Sequence, residues 1–245
     1  MTNQLPSHPL IRPQDLVLFQ GDSITNAFRK PEELCNAYQM GSGYALMVAA
    51  HLLAARPGDA LRFANRGVSG EGIRGLTKRW QADCIDLRPD VLSVLVGIND
   101  ARVTLEKPST TVAEFETCYR DLLDKSLEKL PSVRLVLCEP FVLQAGDVRQ
   151  DRLADVAGRG EVVRRLAVEF GAVVVPLQSV FANALESAPS EYWSYDGIHP
   201  NAQGHWLIAR AWLKAVEGNG EEAGHLGGMS LPGHPLIPCK TGILP

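Results

Sequence analysis

Short apolar runs separated by longer amphipathic stretches are the feature that most narrows the fold of this chain. Five runs have the length of a β-strand, and they cover 16–20, 61–65, 91–96, 133–138 and 172–175. The third run, VLSVLV, is apolar on both faces. Such a run is typical of a central parallel strand that helices cover on each side.

The stretches between and after these runs have helical character, and they lie at 43–55, 73–80 with an extension toward 87, 111–130, 151–170, 180–187 and 201–216. Strands that alternate with helices require a parallel sheet with right-handed crossovers. The pattern therefore predicts an α/β fold, a single three-layer α/β/α domain around a five-stranded parallel sheet. The flavodoxin-like strand order 2-1-3-4-5 is the expected one.

Length and charge limit the partners of the chain. With 245 residues, 45% of them hydrophobic, the chain can bury a large core. Its net charge of −4 leaves no basic excess for nucleic-acid phosphates or anionic lipids, so neither nucleic acid nor membrane is an expected partner. The first residues resemble no signal peptide, and no segment is long and apolar enough to span a membrane. We therefore expect a cytoplasmic protein.

The last part of the sequence differs from the rest. Residues 218–245 contain seven Gly and four Pro and show little periodicity. We expect one domain over 1–217, followed by an irregular tail that is a candidate for docking on a second copy in a homo-oligomer. The five cysteines form no C-x-x-C pair, so free thiols are expected at 35, 84, 118, 138 and 239.

Four polar loops lie where an open parallel sheet binds its ligands, beyond the carboxyl ends of the strands. Three of them directly follow the first three strands: Gly-Asp-Ser-Ile-Thr-Asn at 21–26, Asn-Arg-Gly-Val-Ser-Gly at 65–70 and Gly-Ile-Asn-Asp at 97–100. The fourth, Tyr-Asp-Gly-Ile-His-Pro at 195–200, precedes the last helix. Each loop alone is an ordinary turn or helix cap.

Together these loops hold the parts of an acyl-transfer site. Ser23 is a candidate nucleophile, His199 the base that takes its proton, and Asp196 the group that orients the imidazole. The backbone N–H groups of Ser23 and Gly70 and the side-chain amide of Asn99 are candidate donors to an oxyanion. Independent turns have no reason to supply one complete set of this kind.

The four loops resemble the sequence blocks of the SGNH (GDSL) hydrolase superfamily, whose four lettered residues correspond here to Ser23, Gly70, Asn99 and His199. Asp196 completes the triad, and Ile24 stands where Leu often follows the Gly-Asp-Ser. The resemblance runs from residue 16 to about 216. It implies a flavodoxin-like fold and a lipolytic serine esterase that works through an acyl-enzyme, without metal or cofactor.

A narrower set of motifs is similar to bacterial carbohydrate acetylesterases, including acetyl-xylan esterases. The motifs are Asn-Arg-Gly-Val-Ser-Gly at 65–70, Lys-Arg-Trp at 78–80, Arg-Pro-Asp at 88–90, Glu-Pro-Phe at 139–141 and Gly-His at 204–205. This resemblance implies that acetylated sugars are the substrates. Trp80, Trp193 and Tyr195 are candidates for contact with a sugar ring, although ordinary packing explains aromatic residues equally well.

Several alternatives stay open at this point. The closest is an SGNH lipase or thioesterase that acts on longer acyl chains. Gly-x-Gly-x-x-Gly at 70–75 is typical of dinucleotide-dependent oxidoreductases, but it follows the second strand instead of the first. Metal-assisted hydrolysis through Asp22, Asn99, Asp100 and His199 lacks a zinc-like spacing. A carbohydrate-binding module without catalysis would not require the Ser, His and Asp.

Overall fold

Five parallel strands form the sheet that organises the chain. The computed structural model describes residues 10–31, 36–101, 110–146, 148 and 150–217. The strands are β1 (Leu16–Gly21), β2 (Arg62–Asn65), β3 (Val91–Leu95), β4 (Arg134–Cys138) and β5 (Val173–Val175). Their order is β2-β1-β3-β4-β5, and every neighbouring pair is parallel. This confirms the predicted fold class and strand order.

Helices cover both faces of the sheet. They are α1 (Ser23–Asn26), α2 (Asn36–Met40), α3 (Tyr44–Ala55), α4 (Ile73–Trp80), α5 (Val112–Lys129), α6 (Gln150–Glu169), α7 (Leu177–Ala184), α8 (Ser190–Trp193) and α9 (Ala202–Glu217). Helices α3 and α9 pack together on one face, and α4, α5 and α6 pack on the other. Leu92 of β3 is buried in the core under α4, α5 and α6, and Leu95 is buried in the core under α3 and α9. Strand β3 is therefore covered on both faces, as its apolar run predicts.

Some local features were not predicted. Helices α2 and α8 have only five and four residues, too few to show a periodic pattern. The predicted extension of α4 takes the form of a π-helical turn over Gln81–Ile85, which the pattern does not reveal. Helix α7 begins at Leu177, three residues before the predicted start. The predicted tail over 218–245 lies outside the described residues and stays a prediction.

Three of the five cysteines lie in the part of the chain that the structure describes. Cys84, Cys118 and Cys138 are all free thiols, in agreement with the sequence. Burial raises the pKa of both Cys84 and Cys138 to about 12, so these two thiols are unreactive packing residues.

Among the described helices, none has both the length and the apolar character needed to cross a membrane.

His205 joins α9 to the start of α3. The backbone N–H of Tyr44 donates to Nδ1 of His205 across 3.3 Å. Gly43, which precedes α3, has no side chain to cap the helix, and a Cβ there would lie 2.8 Å from the imidazole. His205 therefore takes the capping role, and an Nδ1 that accepts a hydrogen bond requires a neutral ring. Burial, with a smaller contribution from His199 nearby, lowers the pKa of His205 to about 4.

We expect His205 to make stability depend on pH between the ordinary histidine pKa of 6.5 and the folded value of about 4. In this window the unfolded chain takes up a proton that the folded chain excludes, so the free energy of unfolding falls as pH falls. The contribution is at most about 1.4 kcal/mol per pH unit, the value for one proton.

Urea denaturation of the native protein and of His205→Asn from pH 7.5 to 4 measures this effect. The Asn side chain retains an acceptor near the position of Nδ1 but does not titrate, while every other ionisable group is shared. The native protein should lose stability more steeply than the variant. Parallel profiles would contradict the assignment.

Candidate active site

The four polar loops meet at the carboxyl edge of the sheet, as the sequence predicts. The loops after β1 and β2 are joined because the Val68 N–H donates to the carbonyl of Gly21 across 3.0 Å. The loop after β3 joins the loop after β2 through Asn99. The loop over 194–200 reaches the same edge through a contact between Ser23 and His199, which are 176 positions apart in the sequence.

The turn after β1 places Ser23 at the first position of α1. Gly21 is required there, because a Cβ would collide with the carbonyl oxygen of Leu95 and the hydroxyl of Thr25. Asp22 then caps α1, and its Oδ1 accepts the backbone N–H of Ile24 across 2.9 Å. The Ser23 hydroxyl therefore stands at the end of a buried strand, on a short rigid turn.

Asp22 is a buried carboxyl group directly beside Ser23. Its Oδ2 has no hydrogen-bond partner among the described residues. Burial, to which the nearby carboxyl group of Asp100 adds, raises the pKa of Asp22 to about 7. Because its Oδ1 caps α1, Asp22 acts on the site by holding the turn of Ser23.

Ser23, His199 and Asp196 form a continuous chain of hydrogen bonds. Ser23 Oγ lies 2.9 Å from Nε2 of His199, and Nδ1 of the same ring lies 2.6 Å from Oδ2 of Asp196. A carboxylate only accepts hydrogen bonds, so Nδ1 carries the ring proton and Nε2 is free to accept the proton of the serine hydroxyl. This is the arrangement of a nucleophile, its base and the group that orients the base.

The carboxyl group of Asp196 is held in its ionised form. Partial burial opposes its charge, but hydrogen bonds from the His199 ring and from the backbone N–H groups of His199 and Ile198 outweigh the burial. The net effect lowers the pKa of Asp196 below its ordinary value. A negative Asp196 stabilises the positive imidazolium that forms when His199 accepts a proton.

The loop that carries Asp196 and His199 is closed on itself and fixed to its neighbours. Ser194 pairs with Pro200 in an antiparallel bridge, and its hydroxyl donates to the His199 carbonyl across 2.9 Å. Gly197 lies against the loop after β4, where the Leu143 N–H donates to its carbonyl across 2.8 Å and a Cβ would meet the carbonyl of Leu143. Only glycine fits there, which explains the Asp-Gly-Ile-His sequence.

Gly70 and Asn99 lie on adjoining loops that are tied together. The Asn99 side-chain amide donates to the carbonyl of Glu71 across 3.1 Å, one residue after Gly70. An amide nitrogen has two N–H groups, so a second donor of Asn99 is left for a ligand. Gly70 has φ +79°, a conformation that favours glycine, and nothing surrounds the position of its missing Cβ.

The start of α4 is occupied by a carboxyl group of the protein itself. Ile73 N–H lies 3.0 Å from both Asp100 oxygens, and the Thr110 hydroxyl donates to the same group. A Cβ at Gly72 would lie 2.6 Å from Asp100 Oδ1. In a dinucleotide site a pyrophosphate takes this place at the helix N-terminus. Gly72 of the 70–75 motif therefore serves the contact with Asp100, which argues against a nucleotide site.

The three aromatic candidates for sugar binding differ in position. Trp80 is 1% exposed and donates its indole N–H to Ser126 on α5, so the prediction that it contacts the sugar is wrong. It lies on the face of α4 that packs in the core. Trp193 is partly buried, and its indole N–H donates to the carbonyl of Ala188. Tyr195 is 64% exposed, with its ring nearly parallel to that of His199 at 5.8 Å.

Within the described ranges, the structure contains no group of three or more His, Cys, Asp or Glu side chains that could bind a metal ion. Asp22, Asp100 and His199, which the metal alternative combines, each have a different partner: Ile24, Ile73 and Asp196, respectively. The side chains that the metal hypothesis needs are therefore used in caps and in the Ser–His–Asp chain.

The structural roles of two residues near the site were not found from the sequence. Ser194 supports the backbone of His199, but a serine before Tyr-Asp carries no distinctive pattern. The Asp100 side chain caps α4 from the loop after β3, and a contact across 27 positions leaves no periodic signal. Both depend on side-chain directions that only the folded chain reveals.

Comparison with known proteins places this chain in a family. Residues 19–207 match the sequence profile of the GDSL-like lipase/acylhydrolase family. An acetylxylan esterase from Geobacillus stearothermophilus is 32% identical over 208 residues, which cover 82% of this chain and 93% of that protein.

Solved structures agree with this result. A candidate GDSL-like lipase from Parabacteroides merdae superposes with a TM-score of 0.81 at 38% identity, covering 85% of this chain and 99% of that one. An acetylxylan esterase from Geobacillus stearothermophilus superposes with a TM-score of 0.77 at 29% identity, covering 84% and 95%. Two of its variants, described as catalytic mutants, replace one serine and one histidine with alanine. The chain therefore belongs to the GDSL-like lipase/acylhydrolase family and is a carboxylic ester hydrolase that acts on a small-molecule ester.

Proposed function

We propose that Ser23 is the nucleophile of a serine esterase that removes acetyl groups from carbohydrates. The observation that carries the proposal is the unbroken hydrogen-bond chain from Ser23 through His199 to Asp196. A serine hydroxyl is weakly nucleophilic until an adjacent base accepts its proton, and His199 Nε2 lies where it can do so. The serine and histidine mutated in the Geobacillus stearothermophilus esterase support these two roles.

In the first half of the reaction, Ser23 Oγ attacks the carbonyl carbon of the ester and its proton passes to His199 Nε2. The carbonyl oxygen becomes negative, and its charge is stabilised by the backbone N–H groups of Ser23 and Gly70 and by the free amide N–H of Asn99. The bond from the carbonyl carbon to the sugar oxygen then breaks, and the imidazolium gives its proton to that oxygen. The sugar alcohol leaves and an acetyl-enzyme remains.

In the second half, a water molecule replaces the sugar. His199 accepts one proton from the water as its oxygen attacks the acetyl carbon, and the same donors stabilise the second oxyanion. The bond to Ser23 breaks, and His199 returns the proton to Oγ. Asp196 stays ionised throughout and compensates the charge of the imidazolium, so neither step requires a metal or a cofactor.

The acetylated sugar is proposed as the substrate because of the relatives and of Tyr195. The curated relative and several solved neighbours act on acetylated xylan or its oligosaccharides, according to their descriptions. The exposed ring of Tyr195 stands beside His199 and offers a flat apolar face of the kind that stacks on a sugar ring. The expectations of a cytoplasmic location, of no nucleic-acid or membrane partner and of a homo-oligomer stay predictions.

Ser23→Ala and His199→Ala should each lower kcat for p-nitrophenyl acetate by about 10⁶-fold, as in serine-protease triads. EDTA should leave the native rate unchanged. Ser69→Ala is the control, because Ser69 is an exposed serine in a Gly-Val-Ser-Gly turn on the neighbouring loop and makes no contact with His199 in the structure. Near-native turnover by Ser23→Ala, or loss of activity in Ser69→Ala, would overturn the assignment of the nucleophile.

Asn99→Ala should lower kcat by about 100- to 1,000-fold, the usual effect of removing one oxyanion donor. The KM should change little, because the lost interaction is made to the charge that develops in the transition state. Steady-state kinetics of Asn99→Ala and of Asn183→Ala, an exposed asparagine on α7, measure the effect. A raised KM at unchanged kcat would indicate that Asn99 binds the substrate instead.

Acetylated xylo-oligosaccharides should be deacetylated faster than p-nitrophenyl octanoate is hydrolysed, when both are compared as kcat/KM. Tyr195→Ala should raise the KM for the sugar substrate and leave that for ethyl acetate nearly unchanged, because only the sugar has a ring for the tyrosine to contact. A preference for octanoate would favour the alternative, a lipase or thioesterase with the same triad.

A further inference from the structure

We propose that Arg79, on α4, is a positioning residue that holds the three oxyanion donors in register. The inference rests on the proposed function, because it assigns a role toward the donors Ser23, Gly70 and Asn99. Among the described residues, Arg79 has no hydrogen bond to Ser23, His199 or Asp196. Its five hydrogen bonds go to the end of β1 and its turn, to the loop after β2 and to Asp83.

The guanidinium group of Arg79 links the ends of the first two strands. Nη1 donates to the carbonyl of Arg66 across 2.7 Å, and Nη2 to the carbonyl of Gly21 across 3.3 Å. Nη1 also lies 2.9 Å from Oε1 of Gln20, the last side chain of β1 before the turn. One side chain therefore contacts both the turn that leads to Ser23 and the loop that leads to Gly70.

Two carboxylates fix the direction of the guanidinium. Nε donates to Oε2 of Glu71 across 2.6 Å, and Nη1 to Oδ2 of Asp83 across 2.9 Å. The Arg79 side chain is only 15% exposed, so its charge needs these partners. A planar fork with several N–H groups can satisfy acceptors on different sides at once, whereas a lysine ammonium is a point charge on a flexible stem.

The contact with Glu71 extends this link to the third donor. Glu71 is the residue directly after Gly70, and its carbonyl accepts the N–H of the Asn99 side chain. Its carboxylate is bound by Arg79. A displacement of Glu71 would therefore move the Gly70 backbone and release the Asn99 amide together. Because oxyanion donors act only at hydrogen-bond distance, a shift of about 1 Å reduces catalysis by about 100-fold.

The experiment compares Arg79→Lys and Arg79→Met with Arg134→Met. Arg134 is a matched control because its side chain is 17% exposed and binds the carboxylate of Asp15 at 2.7 Å and the carbonyl of Leu10. It is the first residue of β4, so it lies at the amino ends of the strands, away from the site. Each variant is assayed with p-nitrophenyl acetate for kcat, KM and the pH dependence of kcat/KM, and thermal unfolding reports its folded fraction at the assay temperature.

Both Arg79 variants should lower kcat by about 10- to 100-fold at nearly constant KM. The acid limb of the pH profile should stay in place, because the contacts of His199 and Asp196 do not involve Arg79. Arg134→Met should retain native kcat. Should Arg79→Met fail to fold, Arg79→Lys and Glu71→Ala, which removes a single contact of the guanidinium, give the same test.

Native kcat in folded Arg79→Lys and Glu71→Ala would overturn the proposal, as would an equal loss in Arg134→Met or a rise in KM that accounts for the whole effect. These outcomes differ from a failure of the proposed function, which would appear as activity retained in Ser23→Ala. If activity requires Ser23 but is unchanged in Arg79→Lys and Glu71→Ala, the proposed function stands. The positions of the oxyanion donors would then be set by contacts other than those of Arg79.

Discussion

The 2.6 Å hydrogen bond between Asp196 and His199 is the interaction on which the rest of the site depends. It places the ring proton on Nδ1, and this leaves Nε2 as an acceptor for the Ser23 hydroxyl. The lowered pKa of Asp196 keeps its carboxylate charged, with backbone N–H groups of its own loop supporting the charge. Without this bond the imidazole would have neither a fixed tautomer nor a fixed direction toward the serine.

The parallel sheet brings together residues that are distant in the sequence. Three strand ends supply Ser23, Gly70 and Asn99, and the loop before α9 folds back to supply Asp196 and His199. Short polar links between loops, such as Val68 to Gly21 and Asn99 to Glu71, keep these ends in register. The same edge is built with glycines where a Cβ would collide with a neighbour, as at Gly21 and Gly197.

The sequence predicts the strand order and the five residues of the candidate site because each of those residues lies next to a patterned element. Ser23, Gly70 and Asn99 follow predicted strands, and the loop of Asp196 and His199 precedes the amphipathic helix α9. It fails for Trp80, since an amphipathic helix does not reveal which aromatic side chain faces the core and which faces a crevice. The contacts of Ser194 and Arg79 are invisible for a related reason, because they depend on the direction of a side chain across a loop. Short helices such as α2 and α8 carry too few residues for a pattern.

Mass spectrometry of the intact chain after treatment with a fluorophosphonate tests the central claim most directly. The reagent forms a stable bond only with a serine whose proton an adjacent base accepts, and the adduct resembles the tetrahedral intermediate. The account predicts one adduct per chain, located on Ser23, with a much slower reaction in His199→Ala. An adduct on another residue, no adduct, or an unchanged rate without His199 would contradict it.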